Sequence, residues 1–261
     1  MTIARTIPQA APHSARLVQL VSALGQTATT DSHACFAERL GRLFGLADTM
    51  ELDSAIGFRA KGPFEADSEK ADKLRSDLVT TRSKLMERVR QSFTASPSDT
   101  MPSLPPLDQD LEEAGNVPPE RATYLNFYLA RQRELAAGTR QLRTRIRTAI
   151  ATTGPAMAHL AQLDTVFDHT LAGYTSQGFA TLPTVLEKRF DALWQSRQQM
   201  NFDQQDHDPA HSPAQGWTKP GGWLHQYCNE MQMLLLAELD VRLEPAIGLL
   251  EAYTNEVSNT P

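Results

Sequence analysis

Apolar residues recur along most of the chain at the three- and four-residue spacing of an α-helix, and the alternating pattern of a β-strand is missing. The first stripes predict a helix from Ser14 to Gly25 and a second over residues 31–45. A short third helix follows, capped by Asp48 or Thr49 and closed by Gly57. The pattern therefore predicts an all-α protein.

The next stripes are longer. They predict a charged helix over residues 65–93 and a second helix from Pro118 to about Thr153. In the helix that begins at Pro118, apolar side chains recur every seven residues, which is typical of a helix that pairs with another helix in a bundle or a dimer. Gly154 and Pro155 end it, and an antiparallel return begins there that continues toward Trp194.

The last stripe is the most apolar, so the helix that starts at Trp223 is predicted to be the central one, with Pro245 ending or kinking it. Two polar stretches interrupt the pattern, at 95–119 and 201–222. We therefore expect an irregular multi-helix bundle of about eight or nine helices with two polar, partly disordered insertions. Its parts are an N-terminal helical module (1–94), a Pro-rich linker (95–119) and a C-terminal helical bundle (120–261), packed as one domain.

Composition narrows the class of protein. The chain has 261 residues, a formal net charge of −6 and two cysteines. Its length allows a sizeable core, and two cysteines cannot supply a zinc knuckle or a disulfide framework. The longest apolar run, from Met233 to Ala237, is too short for a membrane span, and no apolar segment near the start resembles a secretory signal. We expect a soluble cytoplasmic protein without a cofactor or metal.

Arginines are concentrated on the helix that follows the linker. Arg133, Arg140 and Arg147 line up along one side of that helix, and Arg143 lies about 40° away. Such a stripe can bind phosphates of a nucleic acid or an acidic partner. It can also be an ordinary solvated face whose arginine stems cover apolar neighbours.

Acidic residues interrupt the apolar stripe of the last helix. Glu238, Asp240 and Glu244 could present an acidic ridge to a partner. Glu238 and Arg242 are also four residues apart in the favourable order, so an intrahelical ion pair is the alternative.

Two further groups have residue types that could carry chemistry. The second polar insertion holds metal-ligand types, namely Asp203, Asp206, His207, Asp208 and His211. His225 and Cys228 share a helix face, as a base and a nucleophilic thiol would. Neither is assigned as a site, since the insertion lacks a scaffold to fix ligands and a buried thiol is inert.

Residues 231–250 and 182–190, with the shorter stretches 15–20 and 36–40, resemble a proteobacterial family of unknown function. The resemblance covers most of the chain outside the two polar stretches. It implies a gene neighbourhood with membrane proteins that resemble flagellar-stator subunits and outer-membrane-protein-A-like peptidoglycan binders. That arrangement is similar to the Zorya class of anti-phage defence systems.

The resemblance implies a non-enzymatic cytosolic interaction protein that serves as an accessory or effector of such a system. Its expected partners are proteins of the membrane motor complex. A nucleic-acid-binding effector that contacts DNA through Arg133, Arg140, Arg143 and Arg147 is the alternative, and a metal-dependent hydrolase a weaker one. The oligomeric state stays open, with a homodimer among the options.

Overall fold

The computed structural model describes residues 12–25, 45–60, 62–64, 68–94, 104–105, 117–204 and 216–259. These residues form seven α-helices and no strand, so the all-α prediction is confirmed, while the helix count within them is below the expected eight or nine. In chain order the helices are α1 (Pro12–Gly25), α2 (Leu46–Gly57), α3 (Ser68–Ser92), α4 (Arg121–Ile150), α5 (Pro155–Ala180), α6 (Leu182–Gln204) and α7 (Trp223–Asn259). The helix expected over 31–45 lies almost entirely outside the described residues.

Helix α7 is the centre of the fold, as its apolar composition predicts. It contacts α1, α3, α4, α5 and α6, whereas α2 packs on α5. Side chains on most sides of α7 are fully buried, including Tyr227, Leu235, Leu239 and Tyr253. A helix that is apolar nearly all round is stable only when other helices surround it.

Pro245 lies inside α7 and does not end it. Proline removes one backbone hydrogen bond and costs about 3 kcal/mol in a helix interior. The helix continues to Asn259 because Leu243, Ala246 and Tyr253, on both sides of the proline, are completely buried. Burial of these side chains offsets the lost hydrogen bond.

The seven-residue repeat of α4 packs within the same chain. Tyr128, Leu135 and Leu142 are buried in the core, and α4 packs against α7. At Gly138 the helix lies close to α3, since a Cβ added there would stand 3.0 Å from a methyl carbon of Leu85. Close contact of two helices needs a small residue at such a point.

The first turn of α2 is stabilised by Asp48, although not as the capping residue. Gly45 precedes the helix, and its amide donates to the Asp48 carboxylate at 2.8 Å. Thr49 donates its hydroxyl to the Gly45 carbonyl, also at 2.8 Å. The two residues proposed as caps therefore act from inside the first turn.

Helices α4, α5 and α6 form a long antiparallel hairpin. Arg147 pairs with Asp164 near the turn, Gln132 bonds to the Phe179 carbonyl further along, and Arg121 pairs with Asp191 at the far end. In an antiparallel pair the residue number rises on one helix as it falls on the other, and in these three contacts the two numbers add to nearly the same value. The register is therefore kept across Thr181, where α5 ends and α6 begins. The expected continuation of the return toward Trp194 is confirmed, with α5 passing through Gly173 and Gly178 and α6 following at Leu182.

Candidate functional site

The arginine face of α4 consists of Arg133, Arg140, Arg143 and Arg147. Helical geometry places all four within about 80° on one side of α4. Only two of them are exposed to solvent, namely Arg133 and Arg140. The other two point toward α5.

Arg143 and Arg147 form an ion cluster with Asp164 and Asp168 of α5. Arg143 donates to Asp164 at 2.6 Å and to Asp168 at 2.6 Å. Arg147 donates to Asp164 at 2.7 Å and to Asp168 at 2.6 Å. Each arginine therefore bridges both carboxylates, and each carboxylate receives both arginines.

The spacing of the two arginines along α4 equals the spacing of the two aspartates along α5. The arginines are four residues apart on α4, and the aspartates are four residues apart on an antiparallel helix. Side chains four apart lie on the same helix face, one turn apart, so each turn of α4 meets one turn of α5. The four side chains are between 11% and 34% exposed, which reduces screening by water and salt. Charge-assisted hydrogen bonds of this length are the strong kind.

The exposed half of the arginine face borders a neutral part of α5. The hairpin register places Arg140 and Arg133 beside residues 171–178, and residues 169–180 contain no acidic side chain. Residues 172–178 are exposed, and most have small side chains. Arg133 and Arg140 therefore have no ion-pair partner among the described residues.

Two further arginines of α4, Arg131 and Arg145, lie on other sides of the helix. Arg131 is buried and pairs with Glu134 at 2.8 Å, and Arg88 of α3 pairs with the same carboxylate at 2.8 Å. Arg145 points to the α3 side, where its nearest acceptor is the Thr81 hydroxyl at 3.5 Å. The side of α4 that faces α3 is thus separate from the arginine face.

The acidic ridge expected on α7 does not form an exposed surface. Glu238 is 0% exposed and Asp240 is 8% exposed, while Glu244 is half-buried. These side chains are covered because α7 lies at the centre of the fold, where the surrounding helices leave little of its surface accessible to a partner. The alternative ion pair is present instead, with Arg242 donating to Glu238 at 2.6 Å.

Glu238 accepts hydrogen bonds from three side chains in the core. Besides Arg242, the Tyr128 hydroxyl donates to it at 3.1 Å and the Gln132 amide at 3.0 Å. Desolvation raises the pKa of the Glu238 carboxyl, and the attraction of Arg242 and the three donors only partly offset this. Arg242 also lies 3.8 Å above the Phe179 ring, so the network fixes the end of α5.

Asp240 joins three helices. It accepts from Arg82 of α3 at 2.9 Å and lies 3.9 Å from Arg16 of α1. Its carboxylate is therefore occupied within the chain. This contact accounts for an acidic residue in the middle of the central helix.

The remaining candidates give no reactive site among the described residues. Cys228 is buried, and desolvation raises the pKa of its thiol to about 12, so the inert interpretation is supported. His225 contacts Asn229. Across the part of the chain that the structure describes, no group of three metal-ligand side chains occurs. His207, Asp208 and the other members of the proposed metal cluster lie outside the described side chains.

The sequence reasoning missed Asp164 and Asp168. Their four-residue spacing, on a helix joined to α4 by a tight turn, matches that of Arg143 and Arg147 and could have indicated the cluster. It was overlooked because the arginines were considered on one helix alone. An antiparallel neighbour changes which of them reach solvent.

A family model covers nearly the whole chain. The match extends over residues 3–255 and carries the description "Protein of unknown function (DUF3348)". The chain belongs to this family. Comparisons with curated proteins and with solved structures gave no match. Within the described residues, no helix is both long enough and apolar enough to cross a bilayer.

Proposed function

We propose that this protein is an interaction component that binds an acidic helical segment of a partner through the exposed half of its arginine face. In this proposal it acts as a non-enzymatic cytosolic accessory or effector of an anti-phage defence system with a stator-like membrane motor. The observation that carries the binding proposal is the ion cluster between α4 and α5.

The cluster is an internal example of how the arginine face accepts a ligand. A helix with two carboxylates four residues apart lies antiparallel to α4 and receives two bridging guanidinium groups. Arg133 and Arg140 lie on the same face, about two helical turns apart, and are exposed. An acidic helix from another protein would meet the same guanidinium chemistry there, at a spacing of seven residues instead of four.

An acidic protein segment fits this face better than a nucleic acid does. Specific DNA-binding proteins that depend strongly on salt neutralise about 6–10 phosphates. Here two of the four arginines proposed as phosphate contacts are held by carboxylates, and the chain as a whole has a net charge of −6. Guanidinium groups also bind carboxylates in the paired geometry already present in the cluster.

The place of the protein in a defence system is supported by the family resemblance of residues 182–190 and 231–250. Proteins of the membrane motor are accordingly the proposed partners. An accessory protein of that kind needs a recognition surface, and the arginine face supplies one.

Reversing both exposed charges tests the binding proposal. We expect Arg133→Glu combined with Arg140→Glu to abolish co-purification with the motor complex after gentle solubilisation, and to reduce protection against phage. The matched control is Lys73→Glu combined with Arg90→Glu, which changes net charge equally at exposed positions of α3. Equal co-purification of the two double variants would overturn the proposal.

DNA binding is the second candidate, and the exposure of Arg133 and Arg140 favours it. If these two arginines contact phosphates, the logarithm of the binding constant should fall against the logarithm of salt concentration with a slope of about −2. No binding to duplex DNA at about 50 mM salt would exclude this candidate. Binding that survives reversal of both charges would exclude these arginines as the contacts.

A further inference from the structure

We propose that Asp164 and Asp168 act as an internal pseudo-ligand that masks half of the arginine face and so lowers its affinity for acidic partners. This inference rests on the proposed function. In the masked state only Arg133 and Arg140 are accessible. In the unmasked state Arg143 and Arg147 join them, and the face has four cations over about four helical turns.

The masking contact mimics an external ligand in both charge and spacing. Each aspartate sits between two guanidinium groups at 2.6–2.7 Å. A partner helix with carboxylates at the same spacing would make the same bonds. Such a partner competes directly with α5 for Arg143 and Arg147.

Helix α5, which packs on α2 as well as on α4, has few completely buried side chains for its length. Its buried side chains are Met157, Ala158, Ala161, Val166 and Phe179, and two of the five are alanines. By comparison, ten residues of α4 are buried. The ion cluster is thus a large part of what fixes the middle of α5 to α4.

The segment after Asp168 favours local displacement of α5. Residues 172–178 are exposed and include Gly173 and Gly178, each with open space where a side chain would be. Glycine in a helix interior costs about 1 kcal/mol relative to alanine. Segments with few buried contacts open at lower free energy than the core does.

The masked state lowers the apparent affinity of the arginine face for an acidic helix. When only a fraction of molecules is competent to bind, the apparent dissociation constant is the intrinsic one divided by that fraction. Removing the aspartate charges should therefore strengthen binding, whereas removing an ordinary structural ion pair should not.

The experiment uses the full chain and a helical peptide that carries aspartates at a repeated four-residue spacing, with an asparagine version of the peptide as the probe control. We expect Asp164→Asn combined with Asp168→Asn to bind the aspartate peptide roughly tenfold more tightly than the wild type, a usual size for coupling between two states. Fluorescence anisotropy at low salt measures the dissociation constants.

The matched control replaces another pair of acids four residues apart, Glu187→Gln with Asp191→Asn, which faces Arg121 of α4. This control should bind like the wild type. Equal affinity of wild type and the Asp164/Asp168 double variant would overturn the masking proposal. A gain that appears equally in the control would also overturn it.

Two further measurements distinguish failure of the masking proposal from failure of the proposed function. The single variant Asp168→Asn, at the more exposed aspartate, leaves Asp164 in place and should give an intermediate gain, so masking stays testable if the double variant does not fold. Peptide binding retained after reversal of Arg133 and Arg140 would overturn the proposed function rather than the masking. A gain for duplex DNA with none for the peptide would overturn the assignment of an acidic helix as partner.

Discussion

Replacing Glu238 with alanine tests whether one buried carboxylate holds α4, α7 and the end of α5 together. The substitution removes the acceptor for the Tyr128 hydroxyl, the Gln132 amide and the Arg242 guanidinium. Glu238 is completely buried, so water cannot replace the lost oxygens without opening the core.

The expected loss of stability is about 3–5 kcal/mol, the usual cost of removing one partner from a buried ion pair. Each donor left without an acceptor would add about 1–3 kcal/mol to the loss of stability if no water molecule reached it. The full sum does not apply, because Gln132 keeps the Phe179 carbonyl as an acceptor and the Arg242 side chain is 15% exposed. Against a typical total stability of about 5–15 kcal/mol, the loss is large.

Urea unfolding measures this loss, with helix content followed by circular dichroism and the core by tryptophan fluorescence. Glu251→Ala is the matched control, because Glu251 is exposed on the same helix, and its effect should stay within about 0.5 kcal/mol. A loss below about 1 kcal/mol for Glu238→Ala would refute the reasoning, since the three donors would then have found other acceptors.

The remaining predictions concern the α3–α4 contact and the buried thiol. Gly138→Val should destabilise the protein by about 1–3 kcal/mol, because its methyl groups would displace Leu85, whereas Gly138→Ala should be nearly neutral since a flexible side chain can yield and alanine favours the helix. Urea unfolding compares the two, and equal stabilities would contradict the close contact. Cys228 should resist alkylation by iodoacetamide at pH 8 in the folded protein and react after unfolding, because burial raises its pKa to about 12. Mass spectrometry of the Cys228 peptide decides this, and rapid labelling of the folded chain would show that the thiol is accessible.

Helical periodicity was enough to predict the class of fold and the order of most helices. The apolar stripe after Trp223 identified the central helix, because a helix that is apolar nearly all round must be surrounded. Of the two outcomes expected at Pro245, an end or a kink of the helix, the end does not occur, since proline lowers local helix stability while burial on either side offsets the loss. Local rules cannot include that burial before the neighbours are known.

The candidate site was only partly predictable, and Arg143 shows why. On one helix, Arg143 and Arg140 look equally exposed. The neighbouring helix distinguishes them, since α5 has aspartates beside the first and neutral residues beside the second. Glu238 had two interpretations, an exposed acidic ridge and an ion pair with Arg242, and the structure has the ion pair, with the carboxylate buried in the core.

The central position of α7 bears on how the protein is made. This helix follows in the chain every helix that it contacts, so α3, α4 and α6 leave the ribosome before their common packing surface exists. Their apolar faces stay exposed for the seconds that synthesis of the remaining residues takes, at about 5–20 residues per second. Chains interrupted before Trp223 would lack the surface that those helices pack against. We therefore expect production of the protein to depend on chaperones during translation.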